Sequence, residues 1–375
     1  MSVHKKVKAN GEISWQVRYR VAGQNRQQTF ANKKQADAFD GSLRMKRLTG
    51  EMAKIDAGKT LLYEFGETWW NTVSVKLATA TIVNYSNCWN NHILPFLGEM
   101  QLRQITPRVI EQWQSDLSRS GRSNPTIKKA MQTLQTCLQK AVVWGEIQVN
   151  PVREVRKPSG KRIKAVRPVS PREVELMRAH MLREGKLRDA MLVVVLAYAG
   201  LRPGEALALR WDHVRNKTLL VEQALAYSEI KPTKTGAIRS VRILPALKAD
   251  LDKWRQEAPP HPSNLVFASK TNGDGPWLRE AYKSWTRKSF KVSATAAGRE
   301  DLRPYDLRHS FASLLIREGK SVVDVASQLG HAPTMTLSTY AHVMADLDEE
   351  DRRSANELID EARKQAETQP ENEQS

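Results

Sequence analysis

Cysteine is almost absent: Cys88 and Cys137 are the two in 375 residues, and neither belongs to a CxxC pair. Both sit in apolar helical contexts, so a disulfide framework is excluded and buried free thiols in a reducing cytosol are expected. No apolar run reaches the roughly 18 residues that a membrane-crossing helix needs. The opening MSVHKKVKANGEISW carries basic side chains without an apolar stretch, so a secretory leader is not expected. The common catalytic kits are missing too. Without HExxH or paired CxxC, no zinc site is expected, and there is no GxSxG nucleophile elbow. The stretch DAGKT (Asp56–Thr60) ends like a phosphate loop, but Ala53 stands where the first glycine belongs. No internal repeat is present.

Acidic residues are scarce except at the end. Net charge is +18, yet residues 346–375 hold 11 acidic and 4 basic side chains, a balance of −7 that leaves +25 on the rest. Such a body implies a polyanionic partner, nucleic acid above all; a basic enzyme or a ribosome-associated protein are the other readings.

Residues 1–50 carry 11 basic and 3 acidic side chains. In ISWQVRYR, Trp15, Val17 and Tyr19 alternate with Ser14, Gln16, Arg18 and Arg20, which predicts a half-buried strand. RQQTF predicts a second strand. NKKQADAFDGSLRMKR predicts a helix capped by Asn32, with Ala36, Phe39 and Leu43 inward. Its basic outer face, Arg18 and Arg20 included, fits a DNA backbone or an ordinary solvated surface. Residues 60–150 read as all-helical, with helices over Leu61–Val73, Ala80–Ile93, Pro107–Leu117 and Thr126–Trp144. Ile127, Met131, Leu134, Leu138, Ala141 and Val142 form one apolar stripe. Trp69, Trp70 and Trp89 are expected in the core rather than as platforms for bases.

The segment PVREVRKPSGKRIKAVRP (151–168) holds seven basic residues, one acid and three prolines. It predicts a linker whose Lys161, Arg162 and Lys164 lie along a phosphate backbone or are simply exposed. From Ser170 a further domain begins. SPRE is a capping box with Pro171 at the first helical position. LRDAMLVVVLAYAG predicts a buried helix stopped by Gly200. KPTKTGAIRSVRILP predicts a hairpin turning near residues 235–237. SVVDVASQLG predicts a helix stopped by Gly330. The tail DLDEEDRRSANELIDEARK predicts a polar helix with Leu358, Ile359 and Ala362 on one side, docked on a neighbouring protomer or packed within its own chain. The last residues predict disorder.

In LRPYDLRHSFASLLIREG (302–319), Leu307, Phe311, Leu314 and Leu315 make a core-facing stripe. Arg308 stands at its edge and needs an anion, either a structural carboxylate or a ligand. Elsewhere stand Arg202 in AGLRPGEALAL, Lys234 in PTKTG, His309, His331 in QLGHAPT and Tyr340 in LSTYAH. Taken singly, each has a commonplace reading as a salt bridge or a core residue.

Together, AGLRPGEALALRW, PTKTGAIRSVRILP, DLRHSFASLL and QLGHAPTMTLSTYAH, in that order, resemble the catalytic domain of the tyrosine recombinases, the phage integrase family. The helical block resembles that family's core-binding domain through Thr81 and Tyr85, ILPFLG, IT, Trp113 and the closing Asn150-Pro151. The strand-rich N-terminal stretch looks like the arm-binding unit of many phage-type integrases. The resemblance implies a mainly α fold with small β elements: a strand-rich arm-type DNA-binding domain (1–56), a helical core-binding domain (60–152), a basic linker (153–168), a mixed α+β catalytic domain (169–345) and an acidic tail (346–375).

The resemblance also assigns roles. Arg202 and Arg308 would clamp the nonbridging oxygens of a scissile phosphate, since a planar guanidinium pairs two oxygens and stays charged. Tyr340 would be the nucleophile, Lys234 the general acid, and His331 a phosphate or proton-transfer partner. Glu205 would hold Arg202 or another cation, and His309 would help position the site. No metal and no cofactor or ATP is implied, because fixed cations meet the charge of the transition state. One position departs from the pattern: Tyr305 stands where the family usually has the His of His-x-x-Arg. A phenol with a pKa near ~10 is a poor base, but it could still donate a hydrogen bond to the phosphate.

The implied partners are double-stranded attachment sites and three further copies in a homotetramer on DNA. A host DNA-bending protein and a directionality factor are implied too, in a bacterial cytoplasm and with no membrane. Two alternatives share the fold: a chromosome-dimer resolvase, which usually lacks the arm unit, and a regulator that binds DNA without cutting it. A type IB topoisomerase-like enzyme shares the mechanism but needs no arm unit.

Overall fold

The computed structural model describes residues 2–7, 11–21, 24–49, 57–159, 167–233, 236–259, 262–269, 275–345 and 354–368. The chain divides into two compact units, Met1–Ile163 and Lys164–Ser375. The division falls inside the proline-rich basic segment.

The first unit opens with a three-stranded antiparallel sheet, β1 (Ser2–Val7), β2 (Ile13–Val21) and β3 (Gln24–Phe30), with β2 in the middle. β1 is an addition to the sequence expectation, because SVHKKV lacks a clean apolar alternation. Val17, Tyr19 and Val21 of β2 form a small core with Ala36 and Leu43 of α1 (Lys33–Leu48). The Asn32 side chain caps α1 by accepting from the Gln35 amide at 2.9 Å. Arg18 and Arg20 alternate with the core residues and are exposed.

The helices of this unit are α2 (Leu62–Val73), α3 (Thr79–Cys88), α4 (Leu94–Leu97), α5 (Pro107–Arg119) and α6 (Asn124–Val143). Pro95 has no N–H to give the preceding turn, and the chain loosens to π geometry over Trp89–Ile93 just before it. The stripe on α6 is buried from Ile127 to Ala141, and its last member, Val142, is half-buried. The stripe packs with Trp69, Trp113, Ile110 and Cys88 into one core that reaches Val152 and Val155. Trp69 is fully buried, Trp70 and Trp89 are partly buried against the same core, and both cysteines are buried free thiols.

The second unit is built around α8 (Leu187–Tyr198), whose residues from Ala190 onward are all buried. Around it lie α7 (Pro171–Arg183), α9 (Pro203–Leu207), α10 (Pro245–Glu257), α11 (Arg279–Trp285), α12 (Lys291–Ala296), α13 (Arg308–Arg317), α14 (Val322–Leu329) and α15 (Pro333–Ala345). The strands β4 (Thr218–Val221), β5 (Gln223–Ala226), β6 (Glu229–Pro232) and β7 (Arg239–Arg242) form two ladders, β4 with β7 and β5 with β6.

This pairing corrects the expected hairpin. β6 and β7 are not partners. The tight turn is instead Tyr227-Ser228, between β5 and β6, with both residues at positive φ (51° and 73°). Tyr-Ser is not a sequence pair that announces such a turn. It is held from outside, since the Arg279 amide donates to Ser228 Oγ at 2.9 Å and the Arg279 guanidinium lies 5.1 Å over the Tyr227 ring. β7 is drawn to β4 because Val241 lies opposite Leu219 and both are fully buried.

The tail is more than an acidic appendage. Within it α16 (Ala355–Thr368) packs on α7 and α10 of its own unit, burying Ala355, Ile359 and Ala362. Arg363 pairs with Asp250 at 2.5 Å and Glu175 at 3.3 Å. Arg178 reaches the same two carboxylates, and the Tyr198 hydroxyl donates to Glu175 at 2.8 Å. Breaking a buried ion network leaves charge without its partner. Arg363→Ala is therefore expected to lower the unfolding free energy by about 3 kcal/mol. Urea unfolding of the whole chain checks this; a loss below about 0.5 kcal/mol would place the network among surface pairs.

Candidate active site

Two helix ends meet at the site. α8 ends ahead of Gly200, which has φ +60°, and α14 ends at Gly330, which has φ +64°. A Cβ on Gly200 would lie 2.6 Å from the Phe311 ring, so glycine is needed there for both conformation and space. A helix C-terminus leaves its last carbonyls without intrahelical donors and favours cations. Three successive carbonyls at the end of α14 take three guanidiniums. Gln328 O accepts from Arg239 Nε at 2.9 Å, Leu329 O accepts from Arg308 Nη2, and Gly330 O accepts from Arg202 Nη2 at 3.1 Å.

Arg308 is not at the rim, as its place beside the stripe suggested; it is 1% exposed. Its Nη1 donates to Gly200 O and its Nη2 lies 3.0 Å from His331 Nε2. The carboxylate in its surroundings is Glu205, 3.9 Å away. Burial, and then the Arg202 charge, push the Arg308 guanidinium down to about 10, so it stays charged at neutral pH.

Glu205, in the first turn of α9, organises the cations. Its Oε1 accepts from Arg202 Nη1 (2.8 Å) and Arg239 Nη1 (3.0 Å). Its Oε2 accepts from the Arg202 amide (2.9 Å) and Arg239 Nη2 (2.6 Å). Burial alone would raise its pKa; the bonds and charge of Arg239, with those of Arg202, outweigh that and hold it at about 2. Arg202 keeps 38% of its side chain exposed while Arg239 keeps 9%. The open face of the cluster is therefore at Arg202.

Sequence reasoning does not single out Arg239, because AIRSVRILP reads only as strand. The available signal is Glu205, a carboxylate assigned to hold Arg202 or another cation. Arg239 is that other cation.

His331 loses affinity for a proton through burial and the nearby Arg308 and Arg202 charges, and falls to about 4. It is neutral at pH 7, and Nε2 is free to accept from Arg308.

Tyr340, on α15, is fully buried. Its hydroxyl lies 2.6 Å from His309 Nδ1, with the two rings 5.6 Å apart. Burial raises the Tyr340 phenol above its ordinary value and lowers His309 below its own. Tyr305, in the short turn Pro304–Leu307, is 42% exposed, its ring edge-on to His309 at 6.1 Å.

The structure thus brings Arg202, Glu205, Arg308 and His331 into one network and joins His309 to Tyr340, with Tyr305 alongside. Lys234, Lys161, Arg162 and Lys164 lie outside the described residues. The chain on either side of residues 234–235 is pinned: Thr233 Oγ1 donates to Ala237 O, and the Gly236 amide donates to Thr233 O, each at 2.8 Å. Arg18 and Arg20 belong to the other unit.

Residues 169–346 match the phage integrase family, and residues 61–118 match the phage integrase N-terminal SAM-like domain. A putative prophage phiRv2 integrase of Mycobacterium tuberculosis is 26% identical over 296 residues, spanning 76% of each chain. Among solved structures, the Tn1549 transposon integrase in complex with transposon right end DNA aligns at a TM-score of 0.63. It is 18% identical, over 77% of this chain and 97% of that one. A lambda integrase tetramer bound to a Holliday junction aligns at 0.60, also 18% identical, over 93% of this chain and 97% of the other. At these identities the structural likeness speaks for the fold.

Proposed function

The chain belongs to the phage integrase family, and from that premise we infer that it is a site-specific DNA recombinase that integrates a mobile element by way of a phosphotyrosyl intermediate. Arg202 and Arg308 hold the nonbridging oxygens of the scissile phosphate. Tyr340 Oη attacks phosphorus, and the bond from phosphorus to the 5′-oxygen breaks. The products are a 3′-phosphotyrosyl link and a 5′-hydroxyl, whose proton comes from Lys234. An incoming 5′-hydroxyl reverses the step and joins strands, so the diester energy is kept. His331 orients Arg308 and the phosphate, and Glu205 fixes the cations. The observation that carries this reading is the convergence of Arg202 and Arg308 on the end of α14, with Arg202 left open for an anion.

Tyr340 is covered in the free protein, so DNA engagement has to uncover its hydroxyl before attack. Relatives captured on DNA, as a transposon end complex and as a tetramer on a Holliday junction, support duplex attachment sites and a tetramer for this chain as well. The basic strand-rich unit, with Arg18 and Arg20 exposed, serves as an arm-type DNA contact.

The test is covalent trapping on nicked DNA taken from beside the protein's own gene. Wild type is expected to give a protein–DNA adduct on denaturing gels and Tyr340→Phe none. Specific binding by wild type without any adduct would favour a non-cleaving regulator. In the same assay Tyr305→Phe is expected to slow adduct formation by less than about tenfold, the range of one neutral hydrogen bond. A hundredfold loss would instead give the Tyr305 hydroxyl a direct part in the chemistry.

A further inference from the structure

We propose that His309 is the general base for Tyr340: its Nδ1 takes the phenolic proton as Oη bonds to phosphorus and returns it when the 5′-hydroxyl attacks in reverse. The inference rests on the recombinase reading above. It addresses a gap that Tyr305 leaves, since a phenol cannot serve as the acceptor near neutral pH.

The geometry comes first. His309 Nδ1 and Tyr340 Oη are 2.6 Å apart, within the reach required of a base and the proton it removes. This is the one hydrogen bond that the described residues give the Tyr340 hydroxyl. If Nδ1 carried the hydrogen, the buried phenolic O–H would have no acceptor, so the arrangement fixes Nδ1 as acceptor and Nε2 as the protonated nitrogen of a neutral ring. His309 follows Arg308 directly on α13, so the acceptor travels with the side chain that clamps the phosphate.

The groups facing His309 agree. On its own helix stands Arg308; from the preceding turn come Arg303, Tyr305 and Asp306; from beyond α14 comes His331; from α15 comes Tyr340. Burial, with the Arg308 and Arg303 charges, outweighs Asp306 and keeps the ring neutral. In the free protein the proton stays on Tyr340, whose own burial holds it there. It moves only as the new bond withdraws electrons from Oη. Proton and charge balance: Oη–H and the phosphorus–5′-oxygen bond break, while Nδ1–H and the Oη–phosphorus bond form. Lys234 supplies the separate proton to the leaving oxygen.

That second proton can be removed from the experiment. A substrate with a 5′-bridging sulfur releases a thiolate, which needs no acid. On such a substrate, built on the site found by trapping, His309→Asn is expected to form adduct about 10²–10³-fold more slowly than wild type. DNA binding should be unchanged. Asparagine can accept a hydrogen bond where Nδ1 stood but cannot take up a proton, so the variant separates placement from transfer. Its rate should climb about tenfold per pH unit, as hydroxide replaces the base. The wild-type rate should be level at neutral pH and fall once acid protonates His309. Added imidazole should restore part of the rate of His309→Ala.

A His309→Asn rate within tenfold of wild type, or faster, would overturn the proposal, as would a wild-type rate that shows no acid limb at all before the fold is lost. The wild-type profile decides the matter even if a variant does not fold. An adduct from wild type and none from Tyr340→Phe, with His309 variants unimpaired, would leave the recombinase reading standing and remove only the base. No adduct from wild type would overturn both.

Discussion

Replacing Glu205 with alanine is expected to cost about 3–5 kcal/mol of folding stability, because it leaves Arg239 and Arg202 facing each other without the carboxylate between them. Glu205 lies at 3% exposure and takes five donors or charges at once. Strand cleavage should be lost with it, since among the described residues Arg202 then keeps only Gly330 O to orient it. Glu205→Gln keeps the shape and drops the charge, which makes it the better probe of linkage. The folded pKa, about 2, lies below the ordinary value of 4.5. The ionised form therefore contributes stability that is complete above pH 4.5 and is lost as pH falls through 2. A shift of this size corresponds to roughly 3 kcal/mol. Urea unfolding of wild type and Glu205→Gln should differ by that order at pH 7 and converge near pH 2. No difference at either pH would mean that the carboxylate acts through shape alone.

Arg308→Lys is expected to lower the rate of adduct formation by at least about 10³-fold, the scale on which arginines act in phosphoryl transfer. The substitution keeps a positive charge, so charge alone would predict a mild effect. What it removes is a planar fork that spans Gly200 O, Leu329 O and His331 Nε2 together. A lysine ammonium can satisfy one or two of these, and a buried carbonyl left without a donor costs about 1–3 kcal/mol. Single-turnover cleavage, with DNA affinity measured alongside, separates the two accounts. A loss under tenfold would show that a point charge suffices.

Much of the site is legible in the sequence because its residues sit at helix stops and caps, which sequence marks well. Gly200 and Gly330 announce the ends of α8 and α14, and the site residues beside them are Arg202 and His331. The stripe of Leu307, Phe311, Leu314 and Leu315 places α13 against the core, and all four are buried. What the sequence does not display are relations across space. Arg308 reads as a rim residue because its neighbours in sequence are apolar on one side only; the carbonyls that enclose it belong to Gly200 and Leu329, at the ends of two other helices. Arg239 is remote from Glu205 along the chain, on a strand that pairs with β4 rather than in the expected hairpin. The contact between His309 and Tyr340 joins α13 to α15 with α14 between them in sequence, and no periodicity announces it. The Tyr227-Ser228 turn is strained locally and secured by Arg279, at the start of α11, so nothing in its own two residues marks it.

The end of α14 has a further consequence. Carbonyls carry only part of a negative charge, so they aim three guanidiniums without cancelling them. Against the single carboxylate of Glu205, the three leave two positive charges in surplus. A phosphodiester brings one negative charge, and the five-coordinate species formed as a tyrosine attacks and gives up its proton gathers nearly two. On the recombinase reading proposed above, the cluster is thus matched to the reaction's summit rather than to its bound start. Because part of that aim comes from main-chain oxygens, unwinding the last turn of α14 would undo it as removing Glu205 would.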